Sequence, residues 1–510
     1  MDKVFILDFG SQYTQLIARK IRELGVYSEI VPFYISPEKI KKEKPKALIF
    51  SGSPGSVYEK NAPLPPREIL RMGIPILGIC YGLHILAYLS GGKVSYSKKR
   101  EYGFASLNVL DKKGLLSGIK SGTQVWMSHG DKLEKEPPDS IVSANTTNCP
   151  IAVMESRKKN IYGVQFHPEV IHSEHGKKIL SNFIFHIAGL KAEWSMGSFI
   201  KNKVREIRKQ VKNNKVVCGL SGGIDSLVTA LIVYKAIGKN LYCIFVNNGL
   251  LRKGQYEELL EKFKKKLDLN VIGIDSSELF LQKLAKVISP EKKRKIIGEL
   301  FIHTFEKEAK KIGDIKYLAQ GTIYPDVIES NPVKGPSSLI KSHHNVGGLP
   351  ARYKFKLIEP LKELFKDEVK ILAKELGADN DFILQHPFPG PGLAVRIVGE
   401  ITPERLFLLR EADEILLQEI KKAKIYNKLW QAFGILLPIK SVGVMGDKRT
   451  YQKVLVLRLV RSVDGMTADW FPAEPDFLSQ VSNRIVNEVN GINRVVYDIT
   501  SKPPGTIEWE

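Results

Sequence analysis

The stretch 221–226, with the sequence SGGIDS, constrains the fold more than any other part of the chain. It follows an apolar run at 215–220 (KVVCGL) that predicts a buried strand, and it precedes a run at 227–237 (LVTALIVYKAI) that predicts a helix. A strand that turns through two glycines into a helix presents backbone N–H groups and the positive end of the helix dipole to an anion. The pattern therefore predicts a strand–turn–helix unit whose turn can hold a phosphate group.

Two features of this turn narrow its chemistry. A Walker A loop needs a lysine directly after its last glycine, and the residue after Gly223 is isoleucine, which disfavours hydrolysis at the β/γ-phosphate bond. Asp225 can hold a magnesium ion, because hard cations prefer carboxylate oxygen. Glycine-rich turns also occur without a ligand, so these six residues alone leave both interpretations open.

Length and composition set the class of protein. A chain of 510 residues is too long for one hydrophobic core, and we expect about three domains. The four cysteines (Cys80, Cys149, Cys218 and Cys243) have no C-x-x-C spacing, which argues against a disulfide framework or a zinc knuckle and favours a reducing, cytoplasmic setting. No apolar run approaches the roughly 18 residues of a membrane span, and the apolar run near the start predicts a first strand and not a signal peptide.

The net charge is +22, from 77 Lys and Arg against 55 Asp and Glu. Such an excess can indicate nucleic-acid binding, anionic small substrates or a lysine-rich solvated surface. The lysines form short clusters, such as 264–266, beside glutamates at helical spacing. This arrangement favours the solvated surface, and we expect no nucleic-acid partner.

Residues 1–190 alternate short β-rich runs with amphipathic ones, which predicts an α/β domain on a largely parallel sheet. Its sharpest feature is GICYG at 78–82, between a strand-like and a helix-like run. This is a cysteine counterpart of the nucleophile elbow, and the helix N-terminus favours the thiolate of Cys80. A single cysteine among apolar residues can also be part of the core.

A general base for this cysteine is found further on. Residues 161–167 predict a strand that runs into His167 and Glu169. Residues i and i+2 of an extended chain face the same way, so Glu169 can orient the His167 imidazole toward Cys80. Elbow, histidine and glutamate together predict a Cys-His-Glu triad.

Residues 1–190 resemble the class I glutamine amidotransferases, which have a flavodoxin-like fold. The resemblance lies in the opening residues and in SGSPGS at 51–56, GICYG at 78–82, SHGD at 128–131 and QFHPE at 165–169. It implies that Cys80 attacks the side-chain amide of glutamine, that His167 moves the proton and that Glu169 steadies His167. Water then releases glutamate and leaves ammonia.

The resemblance also implies an oxyanion hole made of the backbone N–H groups of Ser53 and Tyr81. Two positions depart from the family pattern. Ser53 stands where the family usually has glycine, which restricts the backbone if a positive φ is needed. His84 stands where the family usually has glutamine, so we expect an effect on glutamine binding.

Residues 191–385 predict a second α/β domain with strands and helices in alternation. Loops after parallel strands gather at the carboxyl edge of the sheet, so the SGGIDS loop and the loop at Asn247 should share one nucleotide pocket. The segment resembles the ATP pyrophosphatases, with a doubly wound fold like that of the adenine-nucleotide α-hydrolases. The S-G-G-x-D-S loop of that family binds the pyrophosphate that leaves when ATP is cut between its α- and β-phosphates.

This second resemblance implies a set of ATP-binding residues and a magnesium site. Members of the family commonly have an acid where this chain has Asn247, so the Mg²⁺ is assigned to Asp225 and a metal role for Asn247 stays open. The implied ATP- and pyrophosphate-binding residues are Ser221, Gly222, Gly223, Ile224, Asp225, Ser226 and Val246.

A segment rich in Gly, Pro and Ser lies between 320–330 and 340–345. A long irregular loop that carries lysine and histidine predicts a mobile lid over a polyanion, although a plain surface loop remains an alternative. Similarity to the GMP synthetase family favours the lid. The participants that it implies are Asp326, Glu329, Lys341, His343 and His344.

Residues 386–510 begin with a turn-dense HPFPGPG stretch and predict a small α+β domain. The ending, KPPGTIEWE, resembles that of the GMP synthetases, whose third domain forms a dimer and contributes to the XMP site. The resemblance implies Arg396, Lys502 and Glu508 as XMP-binding residues. A buried, kinked tail is the alternative for Lys502 and Glu508.

The chain thus resembles the GMP synthetase family over its whole length. This implies a ligase that uses ATP, XMP and glutamine with Mg²⁺ and assembles as a homodimer. Three alternatives remain: amidation of another carbonyl acceptor, modification of a tRNA base, and glutamine sensing without turnover. The KPPGTIEWE tail argues against another acceptor. The charge pattern, which favours a solvated surface, argues against a tRNA base, and the complete triad argues against glutamine sensing without turnover.

Overall fold

The computed structural model describes residues 2–313, 315–330, 355–445, 448–462, 465 and 467–510. The described chain divides into two compact units, residues 2–199 with 328–330 and residues 200–327 with the described residues of 355–510. No helix in the described ranges is both long and apolar enough to span a membrane.

The first unit is built on one large sheet. Its strands are β1 (Lys3–Asp8), β2 (Tyr27–Pro32), β3 (Ala47–Phe50), β4 (Ile76–Ile79), β5 (Lys93–Val109), β6 (Thr123–Lys135), β7 (Ile141–Asn145), β8 (Val153–Ser156) and β9 (Ile161–Val164). They lie in the order β2-β1-β3-β4-β9-β8-β7-β5-β6. The first five are parallel, which gives the 2-1-3-4-5 order of flavodoxin-like sheets. The others are paired antiparallel.

The central strands of this sheet are apolar along their whole length. Every residue of β3, β4 and β9 is buried, as expected for parallel strands that are covered on both faces. The helices of the unit are α1 (Thr14–Arg22), α2 (Pro37–Glu43), α3 (Tyr81–Leu89) and α4 (Gly176–Ser181). Helix α2 begins where Ser36 accepts a hydrogen bond from the Lys39 N–H at 3.2 Å, with Pro37 in the first turn.

The second unit contains a five-stranded parallel sheet. Its strands are β10 (Lys215–Leu220), β11 (Leu241–Asn247), β12 (Val271–Asp275), β13 (Ile315–Ala319) and β14 (Lys356–Ile358). Their order, β12-β11-β10-β13-β14, is the 3-2-1-4-5 order of doubly wound nucleotide-binding folds. The accompanying helices are α5 (Met196–Val211), α6 (Ile224–Ile237), α7 (Gln255–Glu261), α8 (Ser277–Leu284), α9 (Pro290–Ile312), α10 (Tyr324–Ser330), α11 (Lys366–Glu375) and α12 (Asn380–Ile383).

The last part of the chain adds a four-stranded sheet to the second unit. Its elements are α13 (Pro403–Lys422), β15 (Gln431–Met445), β16 (Lys448–Arg461), β17 (Asp469–Trp470), α14 (Pro475–Glu488) and β18 (Ile492–Tyr497). Strands β15 and β16 form a long antiparallel hairpin, and β18 lies parallel to β16. Helix α13 begins where the Thr402 hydroxyl accepts from the Arg405 N–H at 3.2 Å.

The two sheets of the second unit share one hydrophobic core. Val217 and Ile244 of the parallel sheet belong to the same buried cluster as Leu409, Leu455 and Val481 of the C-terminal elements. The predicted α/β fold class is confirmed, with mixed α/β architecture and parallel sheets. The predicted domain boundaries near residues 190 and 385 stay predictions.

Candidate functional site

The turn between β4 and α3 has the strained backbone of a nucleophile elbow. Cys80 has φ 54° and ψ −107°, a backbone conformation that residues other than glycine rarely adopt. A Cβ at Gly82 would lie 2.3 Å from the Phe50 carbonyl oxygen, and one at Gly78 would lie 2.4 Å from the Gly82 backbone. The glycines on both sides of Cys80 are therefore required by close backbone packing.

Strand register brings the candidate triad to one sheet edge. Ile79 of β4 pairs with Val164 of β9, so Cys80, one residue after β4, and His167, three residues after β9, lie beyond the carboxyl ends of neighbouring strands. The Cys80 N–H donates to the Val164 carbonyl at 2.8 Å, which ties the two loops together. On the other side, Phe50 of β3 pairs with Gly78, which places the loop after β3 beside the elbow.

His167 and Glu169 form a buried pair. Nδ1 of His167 donates to Oε1 of Glu169 at 2.7 Å, and Glu169 is fully buried. Burial by itself would lower the pKa of His167, but the Glu169 charge and hydrogen bonds with Cys80 and Glu169 outweigh it and hold that pKa well above the usual value. Since Nδ1 is taken by Glu169, the other ring nitrogen faces Cys80.

Packing holds the His167 ring in this orientation. The Tyr13 ring meets it edge-on, with ring centroids 5.0 Å apart. A Cβ at Gly52 would lie 3.5 Å from Cε1 of His167, which brings the loop after β3 against the same ring. The Cys80 thiol donates to the Ser128 carbonyl oxygen at 3.6 Å.

A second polar chain reaches Cys80 through His84 and Gln165. Nε2 of His84 lies 2.8 Å from Oε1 of Gln165, and Nε2 of Gln165 lies 3.9 Å from Sγ of Cys80. Burial lowers the pKa of His84 to about 4, so the ring is neutral and donates to the amide oxygen. Gln165 was not predicted as a site residue, although Gln165 and His167 are two residues apart in an extended chain and so share one face.

The two proposed oxyanion donors approach the elbow from different segments: Tyr81 directly follows Cys80, and Ser53 lies in the loop after the neighbouring strand β3. Ser53 does not have a positive φ, so the serine causes no backbone strain there, and its hydroxyl accepts from the Gly55 N–H at 3.3 Å. Tyr81 is the first residue of α3, where a backbone N–H has no acceptor within the helix. The Tyr81 side chain points away to the Pro63 carbonyl at 3.3 Å.

The SGGIDS loop has an internal hydrogen-bond network. Gly222 has φ +82°, and Gly223 is the N-terminal cap of α6. The Ser226 hydroxyl accepts from the Ser221 N–H at 3.1 Å and lies 3.0 Å from the Ser221 hydroxyl, which in turn accepts from the Gly223 N–H at 3.3 Å. These hydrogen bonds hold the turn in place. The first backbone N–H groups of α6 have no acceptor within the helix, so they can bind an anion.

Asp225 fits the predicted metal site. Its Oδ2 accepts from Nζ of Lys366 at 2.5 Å, while Oδ1 is buried and has no hydrogen-bond partner among the described residues. A Cβ at Gly321 would lie 3.0 Å from the Asp225 carbonyl group, which brings the loop after β13 close to the turn. A buried carboxylate oxygen without a partner suits a hard cation such as Mg²⁺.

The loop after β11 uses its polar groups internally. Val246 is a buried core residue at the end of the strand. Asn247 donates to Oδ2 of Asp275 at 3.3 Å and accepts from the Gly249 N–H at 3.0 Å. The Asn247 side chain therefore organises the loop in this structure.

Only the beginning of the predicted lid lies in the described part of the chain. Asp326 lies in the first turn of α10, where Oδ2 accepts from the Ile323 N–H at 3.0 Å. Glu329 lies in the same helix, and its side chain is outside the described residues. Lys341, His343 and His344 are also outside the described residues.

Of the three candidate XMP-binding residues, two are in contact with one another. Arg396 is fully buried and donates to both carboxylate oxygens of Glu508, at 3.1 and 2.9 Å, while its guanidinium stacks 4.0 Å from the Phe433 ring centre. Gln431 also donates to Glu508, at 2.8 Å. Lys502 donates from Nζ to the Gly465 carbonyl oxygen at 2.8 Å. The pair between Arg396 and Glu508 anchors the tail in the core.

Family models match three successive parts of the chain. The model described as glutamine amidotransferase class-I matches residues 5–187, which confirms that resemblance. The NAD synthase model matches residues 195–294 and supports the predicted ATP pyrophosphatase fold. The model described as GMP synthase C terminal domain matches residues 418–509.

Full-length relatives are similar along the whole chain. The chain is 55% identical to a protein named GMP synthase (glutamine-hydrolyzing) from Brachyspira hyodysenteriae, over 100% of this chain and 99% of that one. It is 56% identical to proteins of the same name from Chlorobaculum tepidum, over 100% and 99%, and Caldicellulosiruptor saccharolyticus, over 99% of each. The chain belongs to the family of glutamine-hydrolysing GMP synthases.

Proposed function

We propose that this chain makes GMP from XMP, with ATP as the activating substrate and glutamine as the nitrogen donor. The observation that carries the proposal is the elbow cysteine beside a His167–Glu169 pair, in the same chain as a pyrophosphate-binding loop without a Walker lysine. The first site releases ammonia, and the second activates the acceptor that ammonia attacks.

At the first site, the Cys80 thiolate adds to the amide carbon of glutamine. The negative charge that develops on the amide oxygen is stabilised by the backbone N–H groups of Ser53 and Tyr81. The His167 imidazolium gives its proton to the leaving nitrogen, the C–N bond of the tetrahedral intermediate breaks, and ammonia departs while the glutamyl group stays on Cys80 as a thioester. Water then loses a proton to His167 and attacks the thioester, which releases glutamate and restores Cys80.

At the second site, the C2 oxygen of XMP attacks the α-phosphorus of ATP, and pyrophosphate leaves. The residues assigned to the phosphates are Ser221, Gly222, Gly223, Ile224, Asp225, Ser226 and Val246. Backbone N–H groups at the start of α6 face the separating pyrophosphate. Ammonia then adds to C2, and AMP leaves as GMP forms. Asp225 would hold Mg²⁺ through Oδ1, and the ion would supply positive charge that offsets the charge of the phosphates.

The remaining assignments rest on family similarity. We infer that Asp326, Glu329, Lys341, His343 and His344 form a lid over the nucleotides. Arg396, Lys502 and Glu508 are assigned to XMP recognition, and Arg396 also holds the Glu508 carboxylate in place. The C-terminal elements form the homodimer contact. Four free cysteines suit a reducing, cytoplasmic location.

The NAD synthase match gives a specific reason to consider a second acceptor of the nicotinate type. The test is to incubate the enzyme with ATP and glutamine and with XMP, IMP or deamido-NAD, and to measure AMP and the aminated product. Of the three acceptors, we expect only XMP to be used, with AMP and GMP formed in equal amounts. AMP release with deamido-NAD would contradict the proposal. Equal AMP release with XMP and with the other acceptors would also contradict it.

A further inference from the structure

Three side chains that the proposed chemistry does not use lie close together in the first unit. Glu101 of β5 and His129 of β6 are paired directly across the antiparallel ladder, and Cys149 follows β7. Their potential ligand atoms all lie within 4.8 Å of one another. Glu101 is 9% exposed, His129 5% and Cys149 0%, so a carboxylate, an imidazole and a thiol share one buried space.

The hydrogen bonds of His129 leave one ring nitrogen open toward this space. Nδ1 lies 2.8 Å from the Asp131 carbonyl oxygen, and because a carbonyl oxygen only accepts, Nδ1 carries the proton. Nε2 is buried and has no hydrogen-bond partner among the described residues. It lies 3.4 Å from Oε2 of Glu101. In a neutral ring, Nε2 therefore directs a lone pair at a carboxylate, an arrangement that a cation between them would stabilise.

The spacing and the donor types agree with zinc. Zinc–nitrogen and zinc–oxygen bonds of about 2.0–2.2 Å at a tetrahedral angle place the two ligand atoms about 3.4 Å apart. Imidazole, thiolate and carboxylate are the zinc ligands of proteins. Supporting contacts are also present: Thr146 donates to Oε1 of Glu101 at 3.1 Å and accepts from the Cys149 N–H at 3.1 Å.

We propose that Glu101, His129 and Cys149 bind one zinc ion, with water as the fourth ligand. On binding, the Cys149 thiol gives up its proton to solvent and the thiolate coordinates the metal. Without metal, burial first and the Glu101 charge next raise the pKa of Cys149 to about 12, and the thiol donates to the Ile151 carbonyl at 3.4 Å.

The site has a structural effect on the nucleophile. Ser128, whose carbonyl oxygen accepts from the Cys80 thiol, directly precedes His129 in β6. A metal bound by His129 would fix this part of β6 against β5 and the loop that carries Cys149. The ion therefore positions the backbone that contacts Cys80 and takes no part in the bond changes at glutamine.

Cobalt provides the test, because Co²⁺ takes zinc sites and thiolate coordination gives it a strong charge-transfer absorption band. The full chain, stripped of metal by a chelator, is titrated with Co²⁺ and then with Zn²⁺. We expect the band to appear, to saturate at about one equivalent and to disappear as zinc displaces cobalt. Absence of the band from protein that is folded by circular dichroism would overturn the proposal.

Three cysteine variants identify the ligand. Cys149→Ser should lose the charge-transfer band, whereas Cys80→Ser and Cys243→Ser should keep it. A band that survives in Cys149→Ser, or that is lost only in Cys80→Ser, would assign the metal to another thiol and refute the site. As a measurement that does not need a folded variant, Zn²⁺ should raise the unfolding temperature of the native chain, and an unchanged temperature would contradict the proposal.

Discussion

Glu169 accepts a hydrogen bond from Nδ1 of His167 at 2.7 Å while its carboxylate is fully buried. Its second oxygen, Oε2, has no hydrogen-bond partner in the described part of the chain. A buried carboxylate with a single hydrogen bond depends on a nearby positive charge, and the His167 imidazolium supplies it. The same interaction keeps His167 protonated, which is the state that must give a proton to the leaving ammonia.

Replacing Glu169 by glutamine should shift the pH dependence of glutamine hydrolysis. The variant keeps the burial that lowers the pKa of His167 and loses the charge that raises it, so that pKa falls. The alkaline limb of kcat/KM for glutamate release should move to lower pH, and the rate should fall about a hundredfold or more. A variant with an alkaline limb at the same pH as the native enzyme would contradict this account of the pair.

Replacing His84 by glutamine should reduce acid sensitivity. The folded-state pKa of His84 is about 4, below the ordinary 6.5, so between these values the unfolded chain binds a proton that the folded chain does not. Above pH 6.5, His84 causes no loss in the free energy of unfolding. Below that pH, its effect lowers the free energy of unfolding by about 1.4 kcal/mol per pH unit. Urea unfolding at several pH values should show that His84→Gln loses less free energy of unfolding at low pH than the native chain does. Equal losses in the two proteins would argue against a neutral, buried ring.

Removing Asp225 should stop nucleotide activation with either nitrogen donor. Without Oδ1, the proposed magnesium ligand is lost, so Asp225→Ala should release no AMP with glutamine or with ammonia. The matched control is Asp268→Ala, which removes an exposed aspartate that pairs with Lys239 in the same unit. The control should retain AMP release, and normal release by Asp225→Ala would refute the metal role.

Arg396 and Glu508 should behave as one unit in stability measurements. Either single change, Arg396→Met or Glu508→Gln, breaks a bidentate pair in which the arginine is fully buried, and each should cost about 3–5 kcal/mol. The double variant should lose less free energy of unfolding than the two single variants lose in sum, as measured by urea unfolding. Additive losses would mean that the two side chains do not stabilise one another.

Features that depend on neighbouring residues could be predicted from the sequence. The elbow at Cys80 and the SGGIDS turn follow from glycines placed between a strand and a helix, and the His167–Glu169 contact follows from their spacing of two residues. The fold class could be predicted because buried parallel strands are continuous apolar runs. The site assignments themselves stay predictions that the variants above can test.

Contacts between distant parts of the chain could not be predicted in this way. Lys366 reaches Asp225 across 141 positions, and Gln165 meets His84 across 81. Nothing in the local pattern around either residue indicates its partner, because the contact depends on strand order and register. The pairing of Glu101 with His129 depends in the same way on the register of β5 and β6.

We propose that one site makes ammonia and that the other site uses it. Cys80→Ala tests this most directly, because the change removes the sulfur and leaves the SGGIDS loop untouched. GMP formation from ATP and XMP should be lost with glutamine and should remain measurable with ammonium salts. Loss of GMP formation with both nitrogen donors, in a variant that is folded, would contradict the division of labour between the two sites.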